Sequence, residues 1–352
     1  MRPWRVVIFG WAESAHVQRW TRALADRGWN IRLISLGGKP VPGVETFVLP
    51  RRGRFSYIAY VFTAVKLARE FRPHLVHVHY AGGFGFWGAN CRFAPLVVSV
   101  WGADVIDLPR KPIVGLSIQT LLGGANRITA TSEYLRQTCI QLRPETGPRI
   151  TVIPFGVNVP DTPAPLPPLP LKLCFIKAHR PKYGPDILLR ALARVRGAIP
   201  DVRMTLAGEG EMTPALRTLT AELGLEAHVD FVGLVPNKRI YSLLEAHHVM
   251  IMPSVMESES FGVAVLEAAA CGRTSIASNI GGVPEVIRDG ETGLLVPPGD
   301  PEALAEAIVR LGCDRDRIEK MGIAAHLHVG RNYRWEDCVD QMTALYESVI
   351  RG

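Results

Sequence analysis

The sequence predicts an α/β protein built as two successive domains, and three observations carry that expectation. Short apolar runs suited to buried parallel strands alternate with stretches of helical periodicity along both halves of the chain. A proline-dense stretch, PDTPAPLPPLPL (160–171), cannot sustain a helix or a central strand and divides the chain. The 352 residues, 47% hydrophobic and 21% charged, are enough for two domains of ordinary size with substantial cores. The expected boundaries are 1–160 for the first domain, 161–170 for the connector and 171–334 for the second, with 335–352 as a terminal helix.

Composition limits the function classes. No apolar run approaches the roughly 18 residues that a membrane span needs. The opening text, MRPWRVVIFGW, starts a strand at once and lacks the length and cleavage site of a signal peptide, so the expected location is cytoplasmic. Six scattered cysteines form no C-x2-C pair and none sits at metal-ligand spacing with histidine, so buried, reduced thiols and no metal site are expected. The net charge of +7 is unevenly spread: residues 1–160 hold 20 basic against 8 acidic side chains, a net of +12, which leaves −5 for the rest. A basic half implies an anionic partner. No nucleic-acid recognition motif is present, and an anionic membrane surface or a lipid-phosphate acceptor fits better.

In chain order, VVIFGW (6–11) reads as a strand ending in a glycine turn. A helix is expected from Ala15 to Arg27, with Val17, Trp20 and Leu24 on one face, stopped by Gly28. IRLISL (31–36) is the next strand. Gly10 has no G-x-G-x-x-G around it, so a dinucleotide fingerprint is absent. RRGRFSYIAYVFTAVKLAREF (51–71) sets arginines beside aromatic residues. It reads either as a domain helix with its aromatics in the core or as a helix docked at a membrane interface. HLVHVHYAGGFGFWG (74–88) is a strand with a glycine-rich loop; ligands gather at the carboxyl ends of such strands, which places His79, Tyr80, Gly82 and Gly83 near a site. His77 is expected to face away from His79, so the two are not expected to share a metal. PLVVSVWGADV (95–105), RITATSEYLRQ (127–137) and ITVIPFGVN (150–158) complete the half.

The second half opens with LKLCFIKAHRPKYGPDILLRAL (171–192), a strand, a cation-bearing loop and a helix. VRMTLAGEGEM (202–212) is a strand and a Gly208-x-Gly210 turn, and DFVGLV within 228–247 is another strand. VMIMP (249–253) reads as a buried strand, SVMESESFG (254–262) as a polar loop, and Val263 to Cys271 as a helix stopped by Gly272. A helix start presents unpaired N–H groups and the positive end of its dipole, which suits phosphate, and Gly262 lets a ligand approach the backbone. Glu259 and Glu267 bracket that start, eight residues apart. Gly281-Gly282 open a second helix start, Pro298-Gly299-Asp300-Pro301 reads as a turn and cap, and 334–350 has helical spacing at Trp335, Val339, Met342 and Leu345.

The text ESFGVAVLEAAACG (259–272) closely resembles the donor-site motif of the retaining GT-B glycosyltransferases of family four, and 202–308 follows that family closely. The resemblance implies a GT-B architecture: two Rossmann-like domains facing across a cleft, the last helix crossing back to the first. It implies a nucleoside-diphosphate sugar as donor, held by Gly208, Phe261, Gly262, Val263, Glu267, Gly281 and Gly282, with Glu267 on the ribose and Glu259 on a sugar hydroxyl. Family members hold the diphosphate with an arginine and a Lys-Gly pair. Here Tyr183-Gly184 takes the place of that pair, and Lys177, Arg180 and Lys182 are the available cations. The base is expected near 232–235. On the acceptor side the resemblance points to Ser14, His16, Tyr80 and Trp101, with Arg19 nearby. Trp101-Gly102-Ala103-Asp104 stands where the family usually reads H-G-x-D. Catalytic roles then fall to Glu259, Asp104 and His79.

The implied activity is transfer of a hexose-type unit to a glycan or lipid-linked acceptor, in synthesis of cell-surface polysaccharide or glycolipid. No cofactor and no metal are expected. The location is cytoplasmic, on the inner face of a membrane through the basic first domain, and nucleic acid is not a partner. The rival expectations are a nucleotide-sugar epimerase of the same fold, a hydrolase using Glu259 and Glu267 as its acid pair, and a non-catalytic subunit that binds sugar nucleotides.

Overall fold

Strands buried on both faces need helices on both sides of their sheet. All five residues of Leu75–His79 and all five of Leu96–Val100 are buried, and helices cover both faces accordingly. The structure, a computed structural model, describes residues 4–53 and 55–352. Arg54, in the basic lead-in noted above, lies outside the described residues. The chain forms two compact units, Met1–Pro154 with Glu336–Gly352, and Phe155–Trp335.

The first unit runs β1 (Arg5–Phe9), α1 (Ala15–Asp26), β2 (Asn30–Leu36), β3 (Glu45–Leu49), α2 (Ser56–Ala59), α3 (Val61–Glu70), β4 (Leu75–His79), α4 (Gly83–Ala89), β5 (Leu96–Val100), α5 (Ala103–Ile106), α6 (Pro112–Gly124), β6 (Arg127–Ala130), α7 (Glu133–Leu142) and β7 (Ile150–Val152). Its seven parallel strands lie in the order β3-β2-β1-β4-β5-β6-β7. The direction of winding reverses between β1 and β4, and a ligand crevice forms at such a switch point. Val7, Phe9, Val76, Val78, Phe84, Trp87 and Leu122 are among the buried residues of its core.

The second unit runs β8 (Lys172–Ile176), α8 (Pro185–Ala198), β9 (Arg203–Ala207), α9 (Thr213–Glu222), β10 (Val229–Gly233), α10 (Ile240–Glu245), β11 (Val249–Met252), α11 (Val263–Ala270), β12 (Thr274–Ser278), α12 (Val283–Val286), β13 (Gly293–Val296), α13 (Pro301–Gly312) and α14 (Arg315–Asn332). Its six parallel strands lie in the order β10-β9-β8-β11-β12-β13, so its switch point is between β8 and β11. Helix α11 ends as a Schellman motif: Gly272, with φ +73°, donates to Ala269 O at 2.9 Å and Arg273 N to Ala268 O at 2.9 Å. Asp300 caps α13, accepting from Glu302 N and Ala303 N at 2.9 and 3.0 Å. The helix expected after Gly282 is a single turn of four residues.

The last helix, α15 (Trp335–Arg351), packs with the first unit. Tyr346 is fully buried, bonds His77 Nδ1 and meets Trp29 edge-on at 5.3 Å. The proline-dense stretch is no free tether. The Arg273 guanidinium, 1% exposed, donates to Ala164 O and Pro165 O at 2.7 Å and to Glu245 O at 2.9 Å. Arg315 reaches Pro167 O at 3.1 Å. Burial of an arginine whose two terminal nitrogens donate to carbonyls fixes that backbone within the second unit.

Candidate active site

At the β8/β11 switch point the loops after four parallel strands converge. Lys177 follows β8 directly. Its ammonium lies 3.0 and 2.9 Å from the two carboxylate oxygens of Glu259, which stands in the loop after β11. Ser254 Oγ donates to the same carboxylate at 3.3 Å. The two side chains are 19% and 9% exposed. Burial pulls the Lys177 pKa down, but Glu259, Tyr183 and Glu267 together hold it above its ordinary value. The lysine is thus a fixed, charged cation with carboxylates on two sides. Glu267, half-buried, sits in the second turn of α11.

Glycines bring these loops together where a side chain would not fit. Gly262 caps α11 with φ +83°, a left-handed conformation that costs glycine little. Gly281, φ +57°, lies so close to the loop after β11 that an added Cβ would stand 2.2 Å from Glu259 O and 2.8 Å from Glu257 O. Gly282 N donates to Glu259 O at 3.3 Å. At Gly208, φ +145°, a Cβ would meet Lys177 O at 2.0 Å. The amides at the start of α11 and the Lys177 ammonium therefore lie along one polar edge of the sheet, the chemistry of an anion site.

The other cations take different positions. Lys182 and Lys177 lie over the Tyr183 ring at 4.7 and 4.9 Å from its centroid. Tyr183, where the family carries lysine, is thus an aromatic face shared by two ammonium groups. Arg180 is exposed. Phe261 is corrected: it is 2% exposed and packs on Tyr333 and Phe155 at 5.7 and 6.4 Å, so its ring anchors the loop in the core and only its backbone borders the site. Val263 begins α11. Near the end of β10 Val232 is 48% exposed and just beyond it Leu234 is 73% exposed, and Gly233 O accepts from Gly208 N at 2.8 Å. Ser254 and Tyr183 are contacts that sequence reasoning did not assign; Tyr183 was visible as a departure from the family, Ser254 carried no signal.

In the first unit the expected acceptor-side residues gather at the carboxyl ends of β1, β4 and β5. Trp101 stacks with Tyr80 (6.3 Å, 10° between planes), is tilted against His79 at 5.2 Å and meets His16 edge-on at 5.9 Å. Ser14 instead caps α1, accepting from Val17 N. Two catalytic expectations are corrected. Asp104 is fully buried, and its oxygens accept from Ala81 N, Trp101 N and Gly102 N at 2.8–3.0 Å. Burial raises its pKa to about 6 while those amides hold it down. It staples two loops and has no face left for a substrate. His79 is 1% exposed and burial lowers its pKa to about 3, so it is a neutral core ring. The expectation that His77 and His79 point apart is also wrong: residues two apart on a strand share a face. His79 Nε2 lies 3.1 Å from His77 Nδ1, and His77 Nε2 bonds Ser99 Oγ at 2.8 Å.

Comparison with known proteins decides the family. The model for glycosyl transferases group 1 matches residues 164–328, and that for glycosyl transferase 4-like matches 5–132. The chain is 30% identical to a D-inositol 3-phosphate glycosyltransferase of Segniliparus rotundus over 96% of its own length and 85% of that protein's. It belongs to the group 1 glycosyltransferases. This glycosyltransferase has the GT-B fold, as its likeness to solved structures shows. Sucrose-phosphate synthase of Thermosynechococcus elongatus superposes with TM-score 0.84 at 22% identity, covering 99% of each chain. The Anabaena HepE protein in complex with UDP and glucose gives TM-score 0.82 at 19% identity, covering 97% of this chain and 99% of that one. It is an enzyme that transfers sugars, and the non-catalytic alternative falls with that finding.

Proposed function

We propose that this glycosyltransferase is a retaining enzyme that moves a hexose-type unit from a nucleoside-diphosphate sugar to a hydroxyl of a glycan or lipid-linked acceptor, at the inner face of a membrane, in the synthesis of cell-surface polysaccharide or glycolipid. The observation that carries it is the Lys177–Glu259 pair beside Glu267, Gly262 and Gly281-Gly282 at the switch point. The Segniliparus relative, named a D-inositol 3-phosphate glycosyltransferase, and a fold neighbour solved with UDP and glucose support the same chemistry.

The residues divide the work as follows. The diphosphate takes Lys177 as its counter-ion, with the α11 amides and Lys182 alongside. Glu259, released from Lys177, accepts from a sugar hydroxyl, and Glu267 accepts from the ribose diol. As the C1–O bond loosens to an oxocarbenium-like state, charge grows on the leaving phosphate, where the lysine is already in place. The phosphate oxygen takes the proton of the acceptor hydroxyl arriving on the same face, so configuration is retained. The cations of the chain supply the positive charge, and the reaction is proposed to need no divalent ion.

Purified protein incubated with labelled nucleotide sugars and a detergent-solubilised membrane extract, with and without EDTA, tests this. Label is expected to pass to the acceptor fraction in both conditions, and Glu267→Ala is expected to reduce transfer by two orders of magnitude or more, about 3 kcal/mol of transition-state stabilisation. Undiminished transfer by that variant would sink the assignment, and conversion of the donor without any acceptor would favour an epimerase.

A further inference from the structure

The segment entering α3 carries an exposed stripe. Phe55, Ile58 and Phe62 are 64%, 60% and 85% exposed, spaced i, i+3, i+7, and the same stripe continues into Lys66 and Arg69, both exposed. The opposite face is the one the core holds: Ser56, Val61, Ala64 and Ala68 are buried, and Tyr57 packs edge-on against Phe84 at 5.1 Å. Three bulky apolar side chains therefore face water although their helix has a complete buried face of its own. Beside them, α3 and α4 border a groove of about 570 Å³ lined by Val61, Phe62, Val65 and Phe86, and also by Lys66, Arg69 and Glu70.

We propose that this face of the first unit docks on an anionic bilayer. Phe55, Ile58 and Phe62 enter the headgroup–acyl boundary, Lys66 and Arg69 bind lipid phosphates, and the α3–α4 groove takes part of a lipid chain. Charge selects this occupant over a second protein surface. From Arg51 to Arg69 every charged residue is basic, and Glu70 at the helix end is the first acid, 3.9 Å from Lys66. The stripe thus joins aromatic and branched side chains to cations in the order that an interfacial helix presents them. The proposal deepens the proposed function in one respect, since a lipid-linked acceptor has to be reached at a membrane.

Flotation of the full chain with vesicles of phosphatidylcholine alone and with added phosphatidylglycerol tests it. Binding is expected to the anionic vesicles and to weaken with salt. Lys66→Gln and Arg69→Gln should each weaken it on the order of fivefold. Ile58→Ser with Phe62→Ser should weaken it roughly tenfold or more and leave the thermal unfolding midpoint unchanged, because both side chains are solvent-exposed. Equal binding to neutral and anionic vesicles, or binding indifferent to these variants, overturns the proposal. So does concentration-dependent dimerisation that the double variant abolishes, which assigns the face to a second copy. Transfer in the detergent-solubilised extract separates the two ideas: the double variant should retain it, whereas its absence in the unaltered protein refutes the proposed membrane acceptor whatever the vesicles show.

Discussion

Lys177 and Glu259 each cancel a charge that the other would leave stranded. With the carboxylate 9% exposed, removing the lysine leaves a nearly buried anion beside the Ser254 hydroxyl. Breaking such a pair from one side costs about 3 kcal/mol, while replacing both partners by neutral groups is close to neutral. Lys177→Met is therefore expected to lower unfolding free energy by about that much, and Lys177→Met with Glu259→Gln to recover most of it. Affinity for the nucleoside diphosphate of the proposed donor, followed by calorimetry over a panel of nucleotides, should stay lost in both. Recovery of nucleotide binding in the double variant would show that the lysine holds the loop and not the ligand. The letters E-S-F-G and L-E-A made this neighbourhood legible in the sequence, because helix-start amides and bracketing acids follow from local order along the chain. The roles of Asp104, His79 and Phe261 did not follow from it. Their burial is set by segments far away in sequence: Asp104 receives the amide of Ala81, and His79 meets a ring that α15 also contacts.

Loops at strand ends govern the next scale. Gly281 and Gly290 both have positive φ, +57° and +77°, but only Gly281 has backbone oxygens where a Cβ would go. Gly290→Ala should cost only the left-handed conformation, about 1 kcal/mol. Gly281→Ala should cost that and push the Glu257–Glu259 backbone aside, so affinity for the proposed donor's nucleoside diphosphate should fall at least tenfold, with a larger loss of stability than at Gly290. Equal behaviour of the two variants in denaturation and nucleotide titration would show that the close approach is irrelevant to the site. Element order was readable here. The apolar runs at 31–36 and 249–253 became β2 and β11, and the periodic stretch from Ala15 became α1. Other elements were not readable, for physical reasons. β3, ETFVL, has no fully buried residue and only three apolar letters in a row, and α6, PIVGLSIQTLLGG, is apolar nearly all round and carries little periodic signal. The proline-dense stretch lies inside the second unit, which begins at Phe155, and its attachment was not readable because it depends on Arg273, more than 100 residues away in the chain.

For the molecule as a whole, the buried ionisable groups of the first unit set how its stability follows pH. His77 and His79 are held neutral, their pKa values lowered chiefly by burial, to about 3 for His79 and well below the ordinary 6.5 for His77. Asp104 is shifted the other way, from 3.8 to about 6, again chiefly by burial. Below pH 6.5 the unfolded chain binds two protons at the histidines that the folded chain refuses, so acidification favours unfolding. Between about 6 and 3.8 the folded chain binds one proton at Asp104 that the unfolded chain does not, which offsets half of that. The net difference is one proton, or about 1.4 kcal/mol of stability lost per pH unit. Below 3.8 the unfolded aspartate also protonates and the offset disappears. Six of the seven tryptophans, Trp4, Trp11, Trp20, Trp29, Trp87 and Trp101, precede Pro154, so tryptophan fluorescence reports mainly on this unit. Urea titrations at pH 7, 6 and 5 should show its midpoint falling at each step, and Asp104→Asn should steepen the fall between pH 6 and 5 because the compensating proton is gone. A midpoint that holds steady or rises on acidification would mean that the paired histidines are open to solvent and charged in the native protein, and that the polar chain from His79 through His77 to Tyr346 is not the sealed core seen here.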